Sequence, residues 1–530
     1  MSCTRVIGPP GTGKTTYLAR QVERAVDKFG PDRVLVCSLT KTAAHEIASR
    51  GLSVARQHVG TLHALAYRAL GRPKMFNETD FATDSGYRLT PASLSGDELE
   101  VMASGDDDKV RAQIDLLRMR GVDEALWPEN ILPMWEAMKS HKQATGTVDF
   151  SDMIQRALDE LPAHPDNPRA IFYDEAQDGS ALELALIRQW GAHCEHVIVV
   201  GDDMQVLYAW RGASVRGFLE FGDNQIVLPT TWRLSRSVWQ YAMRWRDQVK
   251  VKANAPFKPR EDAPEGSVER IAATVGGPHA ILRYVDENPD REVMVLATCG
   301  YMLRPLVKLL RQKSIPFHNP HRVRQGAWNP LARGKTSVRP ADRVIAFCQV
   351  SEEVMGEGMR PWTWKELHAW VDVLNATAIE RGGKTEISRK AKEIGDEIVG
   401  YGDLERLVGV RGVEEAEAGN FQWFSENTLK SKTESLDFPI RVAENRGIQA
   451  LIQPPRVVVG TCHSVKGAES MDVVLFPDLS PPAYRAYFGS DMDARDGVLR
   501  TLYVGITRAK ERLFLAQGTG SSAKWLELLE

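Results

Sequence analysis

Residues 8–15 read Gly-Pro-Pro-Gly-Thr-Gly-Lys-Thr, and their flanks decide the fold. Before them, Thr4-Arg5-Val6-Ile7 is a short β-type run. After them, Leu18, Val22, Ala25, Val26 and Phe29 recur at helical spacing until Gly30-Pro31 stops the helix. Strand, glycine-rich turn and helix together make a phosphate loop, in which the glycines let backbone N–H groups curl round phosphate oxygens at a helix N-terminus. Lys14 then reaches the β- and γ-phosphates of ATP and Thr15 holds Mg²⁺, with Gly8, Pro9, Pro10, Gly11, Thr12, Gly13 and Thr16 completing the cradle.

Further buried-type strands follow at 34–37, 171–173, 197–200, 293–297, 457–460, 473–476 and 513–516, most of them separated by helical stretches. Alternation of this kind predicts an α/β fold with parallel sheets and helices on both faces. Two stretches break the rhythm. Residues 73–148 and 330–450 are mainly helical in pattern and read as insertions into two α/β cores. In the second, Thr363 and Glu366 form a capping box ahead of an apolar face of Trp364, Leu367, Trp370, Val371 and Leu374.

The chain has 530 residues, of which 43% are hydrophobic and 26% charged, which excludes a fibrous, disordered or disulfide-scaffold protein. No apolar run reaches the ~18 residues of a membrane span, and the N-terminus lacks a signal-peptide layout. The six cysteines are scattered without a CxxC pair, as expected of reduced thiols in a cytoplasmic protein. Net charge is −3, so charge is informative only locally. Residues 301–340 hold nine Lys/Arg and no acid, and residues 97–108 hold six Asp/Glu and no base. Both stretches are expected to be solvated surface, the basic one with nucleic-acid contact as its alternative.

Asp174-Glu175 closes the apolar strand 171–173. A carboxylate at the end of a strand beside a phosphate loop holds Mg²⁺, and a second one orients and deprotonates the attacking water. Hydrolysis, and not binding alone, is therefore the expected chemistry. Tyr208, Trp210 and Arg211 cluster in a loop after the strand 197–200, and aromatics beside a base suit stacking and phosphate contact along a nucleic-acid strand.

Nine stretches resemble, in order, the motifs of UvrD/Rep-type superfamily 1 DNA helicases. GPPGTGKT (8–15) resembles motif I, LTKTAAHEI (39–47) motif Ia and GTLHALAYRAL (60–70) motif Ib. VDFSDMI (148–154) resembles the lead-in to motif II, YDEAQD (173–178) motif II itself, and VVGDDMQVLYAWRGAS (199–214) motif III. TWRLS (231–235) resembles motif IV, VVVGTCHSVKGAES (457–470) motif V, and LYVGITRAKERLFLA (502–516) motif VI.

The resemblance implies two RecA-like parallel-sheet domains, the first over 1–72 and 149–230 and the second over 231–329 and 451–530, with helical subdomains at 73–148 and 330–450. It implies that Gln177 and Gln205 sense the γ-phosphate or the attacking water. Arg233 and Arg508 would neutralise charge on the transferred phosphoryl group, Glu469 would hold the ribose, and Trp232 would stack on adenine. Thr40, His63, Thr461 and His463 join Tyr208, Trp210 and Arg211 as expected contacts to single-stranded DNA. The implied activity is ATP-driven 3′→5′ translocation on single-stranded DNA and unwinding at duplex junctions.

The chain departs from the family in several places. Seven residues before Gly8 leave no room for the upstream glutamine motif that reads adenine, so Trp232 is expected to be the main adenine contact. Leu39 stands where relatives stack a Phe on a base. Motif IV reads Thr231-Trp232-Arg233-Leu234 in place of Asn-Tyr-Arg-Ser, and no nuclease domain is expected after Ala516. The main rival reading is a strand-stimulated ATPase that remodels protein–DNA complexes without unwinding. A phosphate-loop kinase would have no use for motifs V and VI, and a catalytically dead binding protein no use for intact Lys14, Glu175, Gln205, Arg233 and Arg508.

Overall fold

The computed structural model describes residues 2–38, 54–89, 105–321, 328–334, 337–349 and 362–519. Thr40 and the stretch 39–47 lie outside the described residues, as does most of the acidic run 97–108.

Six strands, β1 (Ser2–Ile7), β2 (Val34–Ser38), β3 (Val59–Thr61), β4 (Ala170–Asp174), β5 (His196–Gly201) and β6 (Asn224–Val227), form one sheet in the order β3-β2-β4-β5-β1-β6. Every pairing in it is parallel. A two-residue parallel ladder follows, β7 (Thr230–Thr231) with β8 (Lys258–Pro259). The second sheet contains β9 (Ser267–Ile271), β10 (Val293–Ala297), β11 (Phe317–His318), β12 (Val457–Thr461), β13 (Ser470–Leu475) and β14 (Ala509–Ala516). Its order is β11-β12-β10-β13-β14-β9, again parallel throughout.

The apolar runs are continuous because both faces of each sheet are covered. Along β4, Ala170 and Phe172 pack with Leu18 and Val22 of the helix Lys14–Phe29, whereas Ile171 and Tyr173 pack with Leu186, Ile187 and Trp190 on the opposite face. In β10, Met294 and Leu296 face Leu499, Leu502 and Tyr503 of the helix Met492–Ile506. Val293, Val295 and Ala297 join a core that continues through Trp362, Trp370 and Phe424 into the helices of 340–452. The capping box at Thr363 and Glu366 starts the helix Trp364–Val371.

Residues 74–76 and 148 meet, with Phe76 N–H donating to Val148 O (2.9 Å) and Val148 N–H to Lys74 O (2.9 Å), so the segment between them is pinched at its base. Its helices bury their own cluster of Phe81, Ile114, Trp127, Ile131, Met134, Trp135 and Met138. Asp108, read as solvated, is fully buried in the first turn of the helix Asp106–Met119. Acidic side chains there oppose the positive end of the helix dipole, which is why three Asp residues begin it. No helix among the described residues is long and apolar enough to cross a membrane.

Parallel strands put all their C-terminal ends on one edge. The loops after β1, β4 and β5, carrying Gly8, Glu175 and Asp202, therefore converge on the same side of the first sheet. In the second sheet Glu469 and Arg508 immediately precede β13 and β14, at the edge opposite Thr461, the last residue of β12.

Candidate active site and strand interface

The phosphate loop is held open by its own backbone. Gly8 N–H donates to Gly201 O (2.8 Å), and Thr12 Oγ1 donates to Pro9 O (2.8 Å). Gly13, at φ 80°, turns the chain into the helix Lys14–Phe29, whose N-terminus carries no side-chain cap. The first-turn N–H groups and the dipole are then available to an anion. Lys14 Nζ donates to Gly8 O (2.7 Å), lying across the cradle it would vacate for phosphate. Thr15 is half-buried beside it. Gly11, at φ 71°, is a glycine because a Cβ would collide with Arg233 Cβ; Trp232 N–H also donates to Gly11 O (2.9 Å). Residues 231–233 thus pack directly on the loop.

Asp174 is buried at the end of β4 and accepts the Glu175 N–H on Oδ1 (3.0 Å). Glu175 itself is in the left-handed region (φ 53°), a costly conformation for a side chain with a Cβ and one that clusters at functional sites. Gln177 is fully buried and bridges two elements. Its Nε2 donates to Glu175 Oε2 (2.7 Å) and Asp178 Oδ2 (3.1 Å), and its Oε1 accepts the Asp202 N–H (3.1 Å). Gln205 Nε2 donates to Asp202 Oδ2 (2.6 Å). Burial would push the Glu175 carboxyl up, but the ammonium groups of Lys466 and Lys14 outweigh it and hold the acid down at about 2.

Further side chains come to this edge from residues that follow the first sheet in the chain. Arg508 is fully buried, and its Nη2 donates to Gln205 Oε1 (2.9 Å) while Nε and Nη1 donate to Val504 O (3.0 Å) and Ala468 O (2.9 Å). It forms no ion pair among the described residues. Burial, with the Arg233 guanidinium nearby, pushes Arg508 down to about 9, so it is still a cation at neutral pH. Arg233 Nε pairs with Glu469 Oε2 (2.7 Å), and Lys510 Nζ holds Glu469 Oε1 (3.0 Å). Lys466 Nζ pairs with Glu175 Oε2 (3.4 Å) and, more closely, with Asp178. Trp232, whose backbone N–H bonds the phosphate loop at Gly11, is 65% exposed.

Of the strand-contact candidates, Tyr208 is flanked by Arg211 (5.9 Å) and Lys466 (5.4 Å) over its ring. Trp210 is half-buried in the turn Ala209–Arg211, its Nε1 without a hydrogen-bond partner among the described residues, and Arg120 holds that turn through Ala209 O (3.2 Å). His63 follows the N-cap Thr61; its Nδ1 lies 3.4 Å from Glu183 Oε1, and its ring meets exposed Phe150 edge-on. Burial lowers its basicity against the pull of Glu183. Thr461 is buried and accepts the Ser464 N–H (3.2 Å), and His463 is half-buried in the same turn. In the basic stretch, Arg304 and Lys308 are exposed on an amphipathic helix that buries Leu306 and Leu310.

Glu175, Gln177, Gln205 and Arg508 are therefore linked, through Asp202, by hydrogen bonds that span both sheets, with Lys14 in the phosphate loop and Arg233 packed on it at Gly11, whereas His63 stands apart, tied to Glu183. The sequence reading passed over Lys466 and Asp178. The signal was present as a lysine inside Ser-Val-Lys-Gly-Ala and a second acid after Asp174-Glu175. Arg500 was also missed: it is buried in the helix Met492–Ile506 and donates to Asp203 O (2.9 Å), a second tie to the Gln205 loop.

Residues 2–225 match the family model described as the UvrD/REP helicase N-terminal domain. DNA helicase II of Escherichia coli (strain K12) is 26% identical over 281 residues, covering 44% of this chain and 36% of that protein. ATP-dependent DNA helicase PcrA of Leuconostoc citreum is 26% identical over 269 residues, covering 44% of this chain and 35% of that protein. ATP-dependent DNA helicase UvrD2 of Mycobacterium tuberculosis (strain ATCC 25618 / H37Rv) is 24% identical over 578 residues, covering 96% of this chain and 76% of that protein. The chain thus spans just over a third of the length of the first two relatives and about three quarters of the third.

Proposed function

We propose that the chain, which resembles UvrD/Rep-type helicases, is an ATP-driven motor that moves 3′→5′ on single-stranded DNA and unwinds duplex. The observation that carries this reading is the Arg508–Gln205 hydrogen bond. A buried guanidinium attached to the second sheet touches a side chain that hangs beside the phosphate loop of the first. Two RecA-like domains, 1–72 with 149–230 and 231–329 with 451–530, then enclose one ATP between them. The pinch at residues 74–76 and 148 supports reading 73–148 as an inserted subdomain, with 330–450 as the other.

In this reading ATP lies along residues 8–16 with its adenine on Trp232 and its ribose at Glu469, which must release Arg233 to do so. Lys14 leaves Gly8 O for the β- and γ-phosphates. Glu175 takes a proton from the attacking water, which Gln177 and Gln205 orient. Arg233 and Arg508 neutralise the charge that develops on the phosphoryl oxygens; guanidinium groups so placed are worth ~10³–10⁵ in rate. Thr15 and buried Asp174 present a hydroxyl and a carboxylate, donors that suit Mg²⁺, which when bound neutralises phosphate charge. Once hydrolysis removes the γ-phosphate that both halves grip, the cleft can open, and repeated closure and opening moves the strand. Thr40, His63, Tyr208, Trp210, Arg211, Thr461 and His463 are the proposed strand contacts.

The test is ATP hydrolysis with and without single-stranded DNA, with Glu175→Gln as control. Strong stimulation that disappears in the variant supports the motor, and hydrolysis indifferent to the strand sinks it. A forked duplex with a 3′ or a 5′ tail then fixes polarity, and stimulated hydrolysis without strand displacement would mark a remodelling ATPase instead.

A further inference from the structure

Strand β11 is cut short after His318, because the residue two positions on is Pro320, which has no N–H to give to a ladder. Asn319, between them, continues the pairing with its side chain. It is fully buried, and both amide hydrogens are used: Nδ2 donates to Val459 O on β12 (3.1 Å) and to Ser464 Oγ (3.1 Å). Its Oδ1 accepts the His321 N–H (3.1 Å), and its own N–H donates to Asn329 Oδ1 (2.9 Å). Ser464 passes the constraint on, its Oγ donating to Thr461 O (3.0 Å) and its N–H to Thr461 Oγ1 (3.2 Å). The fit excludes even a methyl group. A Cβ on Gly460 would lie 2.6 Å from Asn319 Nδ2 and 2.7 Å from Ser464 Oγ.

The turn fixed in this way carries Thr461 and His463 and then Lys466, whose ammonium reaches Glu175 and Asp178 in the first half of the chain. We propose that Asn319 is a positioning residue that clamps the 460–466 turn, sets the reach of Lys466 to Glu175, and thereby couples strand binding to ATP hydrolysis. The coupling part rests on the motor reading given above; the clamp itself does not. A buried amide with both donors and its oxygen engaged holds one geometry, and leaving its partners unpaired is costly enough to let the turn move.

The experiment compares wild type with Asn319→Asp, which keeps the shape and the acceptor but loses both donations, and with Ser464→Ala, which removes one arm of the clamp. Two readouts are taken. The first is labelling of Lys466 by an amine-reactive reagent, followed by mass spectrometry without nucleic acid; its side chain is 12% exposed, so wild type should label slowly. Both variants should label faster, Asn319→Asp by about tenfold, the equivalent of one or two lost buried hydrogen bonds. The second is strand-stimulated kcat, which should fall by about tenfold in Asn319→Asp with strand-free hydrolysis near wild type, and fall no further when Lys466→Met is added. Unchanged labelling in both variants overturns the clamp. Equal loss of strand-free and stimulated hydrolysis, or a further fall in the double variant, overturns the coupling and leaves a structural role only. If Asn319→Asp does not fold, Ser464→Ala decides alone by the same two readouts. A wild type indifferent to the strand would fail the motor reading, while the labelling still decides the clamp.

Discussion

Lys466 Nζ lies 3.4 Å from Glu175 Oε2, although one residue sits in the crossover between β12 and β13 and the other follows β4. The carboxylate proposed as the base is thus held by a cation from the opposite half of the chain. Lys466 also lies over the Tyr208 ring, so the loop proposed to contact the strand, the ammonium and the carboxylate form one continuous chain of contacts. Burial would lower the Lys466 basicity, but Asp178 and Glu175 outweigh it and keep it protonated.

That contact makes a pH prediction. In wild type Glu175 stays ionised down to about 2, so hydrolysis should show no Glu175 limb above the ordinary carboxylate range. Lys466→Met removes the strongest opposing charge, burial then favours the neutral acid, and the Glu175 pKa rises. The variant should acquire an acidic limb at higher pH than wild type, kcat falling as Glu175 becomes protonated. Stability follows the same sign. A depressed carboxylate stabilises above its unfolded value of ~4.3, and this is lost as pH falls through about 2; in the variant, with Glu175 less depressed, that contribution should be smaller. Superimposable pH–rate profiles for the two proteins would refute the assignment.

Arg508 should act on the chemical step more than on binding. Arg508→Lys keeps the charge but cannot reproduce four guanidinium donations, so kcat should fall by ~10³ with KM for ATP changed only a few-fold. Steady-state kinetics alongside a thermal melt separates this from misfolding. A variant that loses ATP affinity and keeps kcat would move Arg508 out of the reacting site.

Trp232 offers the opposite split. Its exposed face predicts that Trp232→Ala raises KM for ATP by about tenfold, from the loss of ~1–3 kcal/mol of stacking, while kcat at saturation changes little. Trp232→Tyr should retain most of the affinity. ATP titrations followed by hydrolysis rate and by tryptophan fluorescence would check it, and equal affinities in all three proteins would remove Trp232 from the adenine site.

A stability prediction concerns the base of the 73–148 segment. Asp149 is buried, caps the helix Phe150–Glu160 and pairs with Arg118 (2.7 Å) and Lys142 (3.0 Å), whose cations stack on Trp135. Asp149→Ala leaves Arg118, Lys142 and the more distant Arg111 (3.7 Å) short of an anion and should cost ~3–5 kcal/mol. Urea unfolding would show this as a lower midpoint; a loss below ~1 kcal/mol would mean that Asp152 alone satisfies Arg118 and Lys142.

What the sequence determined by itself was everything that depends on local order. The phosphate loop was legible because its strand, glycines and helix are contiguous, and the sheets because apolar runs buried on both faces leave no alternation to confuse with surface. The helix at 364–371 was legible from its capping box. Asp108 was misread because charge in a run says nothing about which helix end it will cap. The pairing of Arg508 with Gln205, of Lys466 with Glu175 and of Asn319 with the 460–466 turn was decided only by the tertiary structure. Each joins residues from strands that are far apart in the chain and brought together by sheet order, and no spacing along a sequence encodes which buried donor will meet which acceptor across two sheets.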